Sequence, residues 1–505
     1  MRRFLVLGNR GRTHHNRWLV LFACSLVASF PGLAMAGFAS RFSISAGEEY
    51  NDNIFFSDKK THDFVTVITP ALHFLYRPEF RTNSLLTVDL TAPAEIYARR
   101  GSQTNFGDRL SLRANYLYPY SQKLSFQISE CVGRLGQTRL SGFDEARSGG
   151  FGDGGGVGGI LGGGGIGGSL LSGGRGRGGC SGGGGVIGLG RGESSGVLNT
   201  SELITSGETL TSQFASSVRY SYSPNLTFGA NYDWRYTAFL DAGGKENYHS
   251  IGVNGSYRLW RLHNLFARYR MTILQAREQL GGTSGKTTII HDFDAGDDFF
   301  GSRQINLTPT LSIRGSTGLS MGTRKGSFDL RHKLNVALIK LWQTAVFTVG
   351  ADRGFTGSFG VSGPSYTTEF FGQYAIRFSR RLVGFAAVTY TMYDTSGADF
   401  TTLQALGGFQ YWLTNWMSAN LVYDYRRLNP NGNNRESDLL SAVTIDGNSV
   451  LLSLTMYFDI WPNIGLGRSV AANSQLFGLP AMGGIGTPPS SVPQQPAGQA
   501  PDLNP

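Results

Sequence analysis

Residues 225–236 read NLTFGANYDWRY, and the two faces of that stretch decide the fold. Leu226, Phe228, Ala230, Tyr232, Trp234 and Tyr236 fall on one side, and Thr227, Gly229, Asn231, Asp233 and Arg235 on the other. Successive side chains of an extended chain point in opposite directions, so this alternation marks a strand with one apolar face. The same reading holds for SIGVNGSYRL (250–259) and LFARYRMTI (265–273). Eighteen such segments follow Gly37, at about 38–50, 62–77, 81–98, 106–119, 122–135, 209–223, 225–239, 245–260, 262–277, 286–300, 304–321, 326–341, 343–358, 364–379, 381–395, 399–413, 415–430 and 446–458. Most exceed the ~9–11 residues that a tilted strand needs to cross a bilayer.

The connections alternate as well. SPN (223–225), LWRLHN (259–264), LWQT (341–344), FSRR (378–381) and LTNW (413–416) are tight, whereas FLDAGGKEN, REQLGGTSGK, GSFGVSGPS and RLNPNGNNRES are longer and rich in Gly, Asn and Asp. Outer-membrane barrels show this asymmetry, with short periplasmic turns and longer outside loops. Tyr116, Tyr118, Tyr220, Tyr222, Tyr374, Phe378, Phe409, Tyr411, Tyr423 and Tyr425 sit toward the ends of their apolar faces, where interfacial girdles form. The expectation is an all-β chain, an antiparallel transmembrane barrel of about 18 strands with both termini in the periplasm of a Gram-negative bacterium.

Composition agrees. The chain has 505 residues, a formal charge of +10, 71 glycines and 16% charged residues, below the ~25% usual for soluble chains. Residues 1–36 read as a secretory signal: Arg2, Arg3, Arg10, Arg12 and Arg17 precede the apolar run WLVLFACSLVASF, and Ala34-Met35-Ala36 is an A-x-A cleavage site. Cys24 is then a residue of the signal core. The barrel is expected over 37–458, closing on NSVLLSLTMYF, whose final Phe458 resembles a signal for the barrel-assembly machinery. Residues 459–505, rich in Pro, Gly, Ala and Gln, read as a disordered periplasmic tail.

Candidate chemistry is sparse. GGTSGKTT (281–288) has the residue types of a phosphate-binding loop, but Gly281 to Gly285 leaves three intervening residues where four are needed, and TTIIHDFD continues as a strand instead of a helix. His62, His73, His249, His263, His291 and His332 are scattered over different strands and turns, so sequence assembles no catalytic site from them. His291 and Asp292 with Asp294, Asp297 and Asp298 carry calcium-type ligands, yet a lumen-facing strand of acids opposite arginines is the plainer reading. No haem or zinc spacing is present. No enzyme, cofactor, metal or nucleic-acid partner is expected.

Alternation also nominates a lumen. The basic candidates are Arg109, Arg113, Arg219, Arg235, Arg258, Arg268, Arg270, Arg314, Arg331, Lys333, Arg377 and Arg426. The acidic ones are Asp89, Glu95, Asp233, Asp292, Asp294, Asp329, Asp352, Glu369 and Asp424. None belongs in lipid, where a mid-plane Arg or Lys costs ~2–4 kcal/mol. They either form a wet pore with basic groups in excess, favouring anions, or an ion-pair network that fills the barrel. Residues 136–208 form one long outside loop with a glycine-rich middle. Cys131 lies on the inward phase of its strand, so a disulfide to Cys180 that ties this loop into the barrel is one reading; an exposed, untethered loop is the other.

AGEEYNDNIFFSD followed by DFVTVITPALHFLY resembles the opening of the β-barrel porin family of the second type. Tyr50 with Asn51-Asp52-Asn53-Ile54-Phe55 and the T-P-x-L strand at Thr69–Leu72 carry the match, and LTPTLSIRGSTG and NSVLLSLTMYF are similar in style. The resemblance spans roughly 38–458 and implies an outer-membrane, porin-like barrel, often associated with exopolysaccharide or exosortase systems. It supplies no catalytic residues. The expected function is a channel for polar or anionic solutes, with assistance to exopolysaccharide export as a further expected role. A non-conducting structural barrel that holds a periplasmic partner through its tail, or sheathes an electron carrier, is the alternative. Partners on the first reading are outer-membrane lipids, the assembly machinery and polysaccharide-export proteins.

Overall fold

The computed structural model describes residues 37–464 apart from 55–59, 78–83, 102–103, 107–109, 122, 136–208, 240–243, 261–262, 278–285, 301–309, 325–326, 343, 358–363, 380, 395–398, 415 and 432–443. The signal-peptide reading, the glycine-rich loop and everything beyond 464 lie outside these residues. The strands in chain order are β1 (Gly37–Asn51), β2 (Asp63–Arg77), β3 (Leu85–Thr91), β4 (Ala94–Tyr97), β5 (Asn105–Phe106), β6 (Ser111–Pro119), β7 (Leu124–Leu135), β8 (Thr209–Ser221), β9 (Leu226–Phe239) and β10 (Lys245–Arg258). They continue as β11 (His263–Arg277), β12 (Lys286–Phe300), β13 (Thr310–Arg324), β14 (Ser327–Leu341), β15 (Ala345–Gly357), β16 (Pro364–Arg377), β17 (Leu382–Asp394), β18 (Asp399–Trp412), β19 (Met417–Asn431) and β20 (Ile445–Ile464).

Neighbours in sequence pair antiparallel throughout, and β1 pairs with both β2 and β20, so the sheet closes on itself. Twenty segments make eighteen staves. β3 and β4 both pair with β2, while β6 and β5 pair with β3 and β4 respectively. The expected strand over 81–98 is therefore broken, at Ala92-Pro93, because proline has no N–H to donate to the ladder. The expected tail start at 459 also needs correction: β20 continues to Ile464 and still pairs with Phe38 there. Lys286 opens β12, so no helix follows the glycine-rich turn that precedes it.

Burial runs opposite to that of a soluble protein. On β13, Leu319 is 51% exposed while the next residue, Ser320, is 0% exposed. On β20, Leu452 is 59% exposed between Leu451 and Ser453, both buried. Apolar side chains face out from every side of the barrel and polar ones face in, an arrangement that lipid tolerates and water does not. Two belts bound the apolar face. At the tight-turn end stand exposed Tyr120, Tyr222, Trp260, Trp342 and Trp416. Higher up, outward polar pairs appear: Tyr232 Oη to His249 Nδ1 at 2.9 Å, Tyr269 Oη to His291 Nδ1 at 2.9 Å, Thr317 Oγ1 to His332 Nε2 at 2.7 Å and Tyr423 Oη to Asn448 Oδ1 at 2.6 Å. His249, His291 and His332 each stand nine residues from the tight-turn end of their strand (Arg258, Phe300 and Leu341). At a typical tilt that is ~23 Å of height, close to the ~25 Å apolar band of outer-membrane barrels.

The Tyr50–Ile54 stretch pins the closure seam. Asp52 Oδ1 accepts the Asn448 backbone N–H at 2.5 Å, Asn448 Nδ2 donates to Asp52 Oδ2 at 2.9 Å, and Asn53 Nδ2 donates to the Asp446 carbonyl at 2.9 Å. Lys60 Nζ then bridges Asp446 at 2.6 Å and Asp52 at 3.3 Å. The hydrogen bond to Asp446 raises the pKa of Lys60 above its ordinary value. Asp52→Ala removes two acceptor contacts between the first and last staves and a third to Lys60. Since hydrogen bonds to a charged group contribute ~1.5–3 kcal/mol each and these are partly exposed, a loss of ~1.5–3 kcal/mol is expected. A lower urea midpoint of the heat-modifiable gel band checks it, and an unchanged midpoint would remove the seam from the stability account.

Candidate functional site

Opposite residues in a ladder share a face, so register places the inward candidates among the described residues. Arg113, Arg219, Arg235, Arg258, Arg268, Arg270, Arg314, Arg331, Lys333, Arg377 and Arg426 lie on the same face as Asp89, Glu95, Asp233, Asp292, Asp294, Asp329, Asp352, Glu369 and Asp424. Arg109 falls outside the described residues. Cys131 is also on the inward face and is disulfide-bonded. It is the one cysteine among the described residues, so its partner lies outside them, as does Cys180, whose pairing with it was one of the two readings of the sequence. Two members of the suggested calcium set differ in direction: Asp297 faces out and holds His263 Nδ1 at 2.6 Å, and His291 faces out toward Tyr269, so these residues do not converge on one ion. Among the described residues no group of His, Cys, Asp and Glu has metal-site geometry.

The charges are segregated. Among described side chains, β6 to β11 turn six basic residues inward (Arg113, Arg219, Arg235, Arg258, Arg268, Arg270) against two acids (Asp233, Glu246). The next wall, β12 to β16, turns six acids inward (Asp292, Asp294, Asp298, Asp329, Asp352, Glu369) against four bases (Arg314, Arg331, Lys333, Arg377). Ion pairs form where the walls meet and within the second of them. Arg268 Nε donates to Asp294 at 2.9 Å, Arg314 donates to Asp298 at 2.5 and 3.0 Å, and Lys333 Nζ lies 3.4 Å from Asp292. Asn335 Nδ2 donates to Asp352 at 2.7 Å. Glu369 stands directly across the ladder from Asp352, a like-charge juxtaposition that costs stability. On the far side Arg426 Nε donates to Asp424 at 2.8 Å, and the Gln404 amide lies within reach of both.

A fork in the wall narrows the interior. β14 pairs with β13 along its whole length but with β15 only from Leu334 to Leu341, opposite Arg353 to Val346. Above that point the β15–β16 hairpin leaves the wall and passes behind β14. Its outward residues Phe355 and Tyr366 thereby become buried, clustered with the inward Ile290. A side chain at Gly322 would meet the Phe355 ring at 3.2 Å, so glycine permits the approach. Phe355 N–H donates to Ser320 Oγ at 3.1 Å, and Tyr366 Oη donates at 2.6 Å to the His332 carbonyl that β15 leaves unpaired. The Arg331 and Arg353 guanidiniums lie 4.7 and 5.1 Å from the Tyr366 ring centre.

A third cluster joins the first three staves. His73 Nδ1 lies 2.9 Å from Asp89 Oδ1, and His73 Nε2 lies 3.4 Å from Ser43 Oγ. All three side chains face inward, and Ser43 and His73 are buried. Sequence reading placed Asp89 in the lumen but left His73 among the scattered histidines and missed Ser43. The available signal was parity: an odd-numbered Ser, His and Asp on consecutive inward faces.

No family model matches the chain, and no curated protein does either. Solved structures similar to it include Pseudomonas aeruginosa OpdL (10% identity, 84% of this chain and 99% of that one, TM-score 0.40). Others are OpdK with vanillate from the same organism (10%, 83% and 99%, 0.41) and its OccK2 (OpdF) in complex with glucuronate (8%, 84% and 98%, 0.41). A likeness of this degree does not carry substrate preference from one barrel to another.

Two substitutions separate paired from unpaired interior charge. Arg426→Ala strands the buried Asp424 carboxylate and is expected to cost ~3–5 kcal/mol. Glu369→Gln relieves the juxtaposition with Asp352 and is expected to stabilise by ~0.2–1 kcal/mol. Urea unfolding of both variants checks the opposite signs.

Proposed function

We propose that the protein is a porin-type channel of the Gram-negative outer membrane for small polar solutes, with anions favoured. The observation that carries this reading is the charge segregation inside a closed barrel whose outer face is apolar over one membrane thickness. A net basic wall facing a net acidic one sets a transverse field that orients dipolar solutes. Arg219 and Arg258, exposed at the tight-turn end, add positive potential at that mouth. The tucked β15–β16 hairpin forms the constriction. On this reading the partners are outer-membrane lipids and the barrel-assembly machinery. Assistance to exopolysaccharide export, through the C-terminal region, rests on the family resemblance alone.

A non-conducting structural barrel is the second reading. It is favoured by the depth at which interior charges such as Asp424 and Arg426 are buried and paired. Planar-bilayer recordings of the refolded barrel separate the two. The channel reading expects steady conductance, a reversal potential shifted toward the anion in a KCl gradient, and higher conductance for Phe355→Ala, which frees the hairpin. Silence from wild type and Phe355→Ala alike, in barrels shown to be folded, would favour the structural reading.

A further inference from the structure

The outer face carries little charge within the membrane thickness, and its exceptions are complementary. Glu130 on β7 is exposed between Ile128 and Val132, with Ala114 and Phe214 opposite it, so its carboxylate points into lipid. It stands six residues from Leu124, the tight-turn end of its strand. At a typical tilt that is ~15 Å of height, well inside the ~25 Å apolar band. Among the described residues two other acids face out within the band, and both are bonded inside their own barrel. Glu48 accepts from Thr66 Oγ1 at 2.6 Å, and Asp297 holds His263. Glu130 makes no hydrogen bond or ion pair among the described residues. Hydrocarbon offers such a group no water, so it marks a contact with another protein surface.

This chain carries the matching cation. Among the described residues Arg353 is the one base that faces out clear of both belts. It is exposed, has Leu334 and Thr368 opposite it, and stands eight residues from Ala345 at the tight-turn end of β15. The two groups therefore differ in height by two residues, ~5 Å, which a long arginine side chain spans. The Arg353 guanidinium lies beside the Tyr366 ring and meets no carboxylate among the described residues. Arg353 is also the last residue of β15 that pairs with β14. Directly above it the hairpin withdraws behind β14, so the outer face recedes. Val132, two residues above Glu130 and 37% exposed, projects at the level of that recess.

We propose that copies of this barrel associate side by side in the membrane, the β7 face of one against the β14–β15 fork of the next, with Glu130 paired to Arg353 of that next copy. Copies in one bilayer share an orientation, which keeps the two groups level. In low dielectric the charge-assisted pair is far stronger than it would be in water. Counting β3 with β4 and β5 with β6 as single staves, β7 is the fifth and β15 the thirteenth of eighteen, so the two faces lie on nearly opposite sides of the barrel. A head-to-tail contact between opposite faces does not close into a small ring; it builds a row. The inference does not depend on whether the barrel conducts.

The full-length chain with p-benzoylphenylalanine at position 132 is reconstituted into phosphatidylcholine vesicles, verified as folded by its heat-modifiable band, and irradiated. A ladder of covalent dimers and longer species is expected, with the adduct on a peptide from β14 or β15. Glu130→Arg and Arg353→Glu each lower the yield ~10-fold. The double variant restores it, which independent damage to the two walls would not do. Adducts to lipid alone, adducts to another stave, or a double variant no better than the single ones, in barrels shown to be folded, would overturn the proposal and leave Glu130 as an isolated charge on the lipid face.

Discussion

Everything in this structure follows from the backbone hydrogen bond between β1 and β20. In a hydrocarbon medium an unpaired N–H or C=O has no water to turn to, so a sheet is stable there only if its two edges meet. Closing eighteen staves leaves no free edge along the seam. The Asn51–Asn53 stretch holds the long-loop end of that seam with side-chain bonds to Asp446 and Asn448. Closure then fixes the parity of every strand, because one side of the ladder must face lipid and the other must face the enclosed volume.

The inversion of burial is the second consequence. Serines, threonines and charged groups that would sit at the surface of a soluble protein are here the most deeply covered side chains, and they must satisfy one another. The Arg268–Asp294, Arg314–Asp298 and Arg426–Asp424 contacts do so locally. Glu369 opposite Asp352 does not, and such places are where function, rather than stability, decides the residue. At the β14–β15 fork two adjacent staves continue without pairing. Tyr366 covers part of the exposed edge by donating to the His332 carbonyl.

Much of this was legible in the sequence, and the reasons for the exceptions are physical. Period-two alternation sorted residues such as Arg235 and Tyr236 to opposite faces with no knowledge of which strands pair. Alternation is blind to a missing donor, so the break at Pro93 went unread, and Asp297 was grouped with acids of the other parity. Register is a relation between strands, fixed by turn geometry and not by composition. The Ser43–His73–Asp89 alignment, the seam formed by Asp52 and Asn448, and the departure of Phe355 from the wall all depend on it. The Tyr50–Ile54 motif stood out in the sequence, but nothing local shows that its partners lie almost 400 residues away.

The account depends most directly on which face of each strand meets lipid. Single cysteines placed by Leu319→Cys and by Ser320→Cys, each labelled with bimane in a barrel reconstituted into vesicles, test it. Quenching by lipids brominated along the acyl chain is predicted to be strong at 319 and absent at 320. Equal quenching at both positions, or strong quenching at 320 alone, would contradict the inverted barrel and the function built on it.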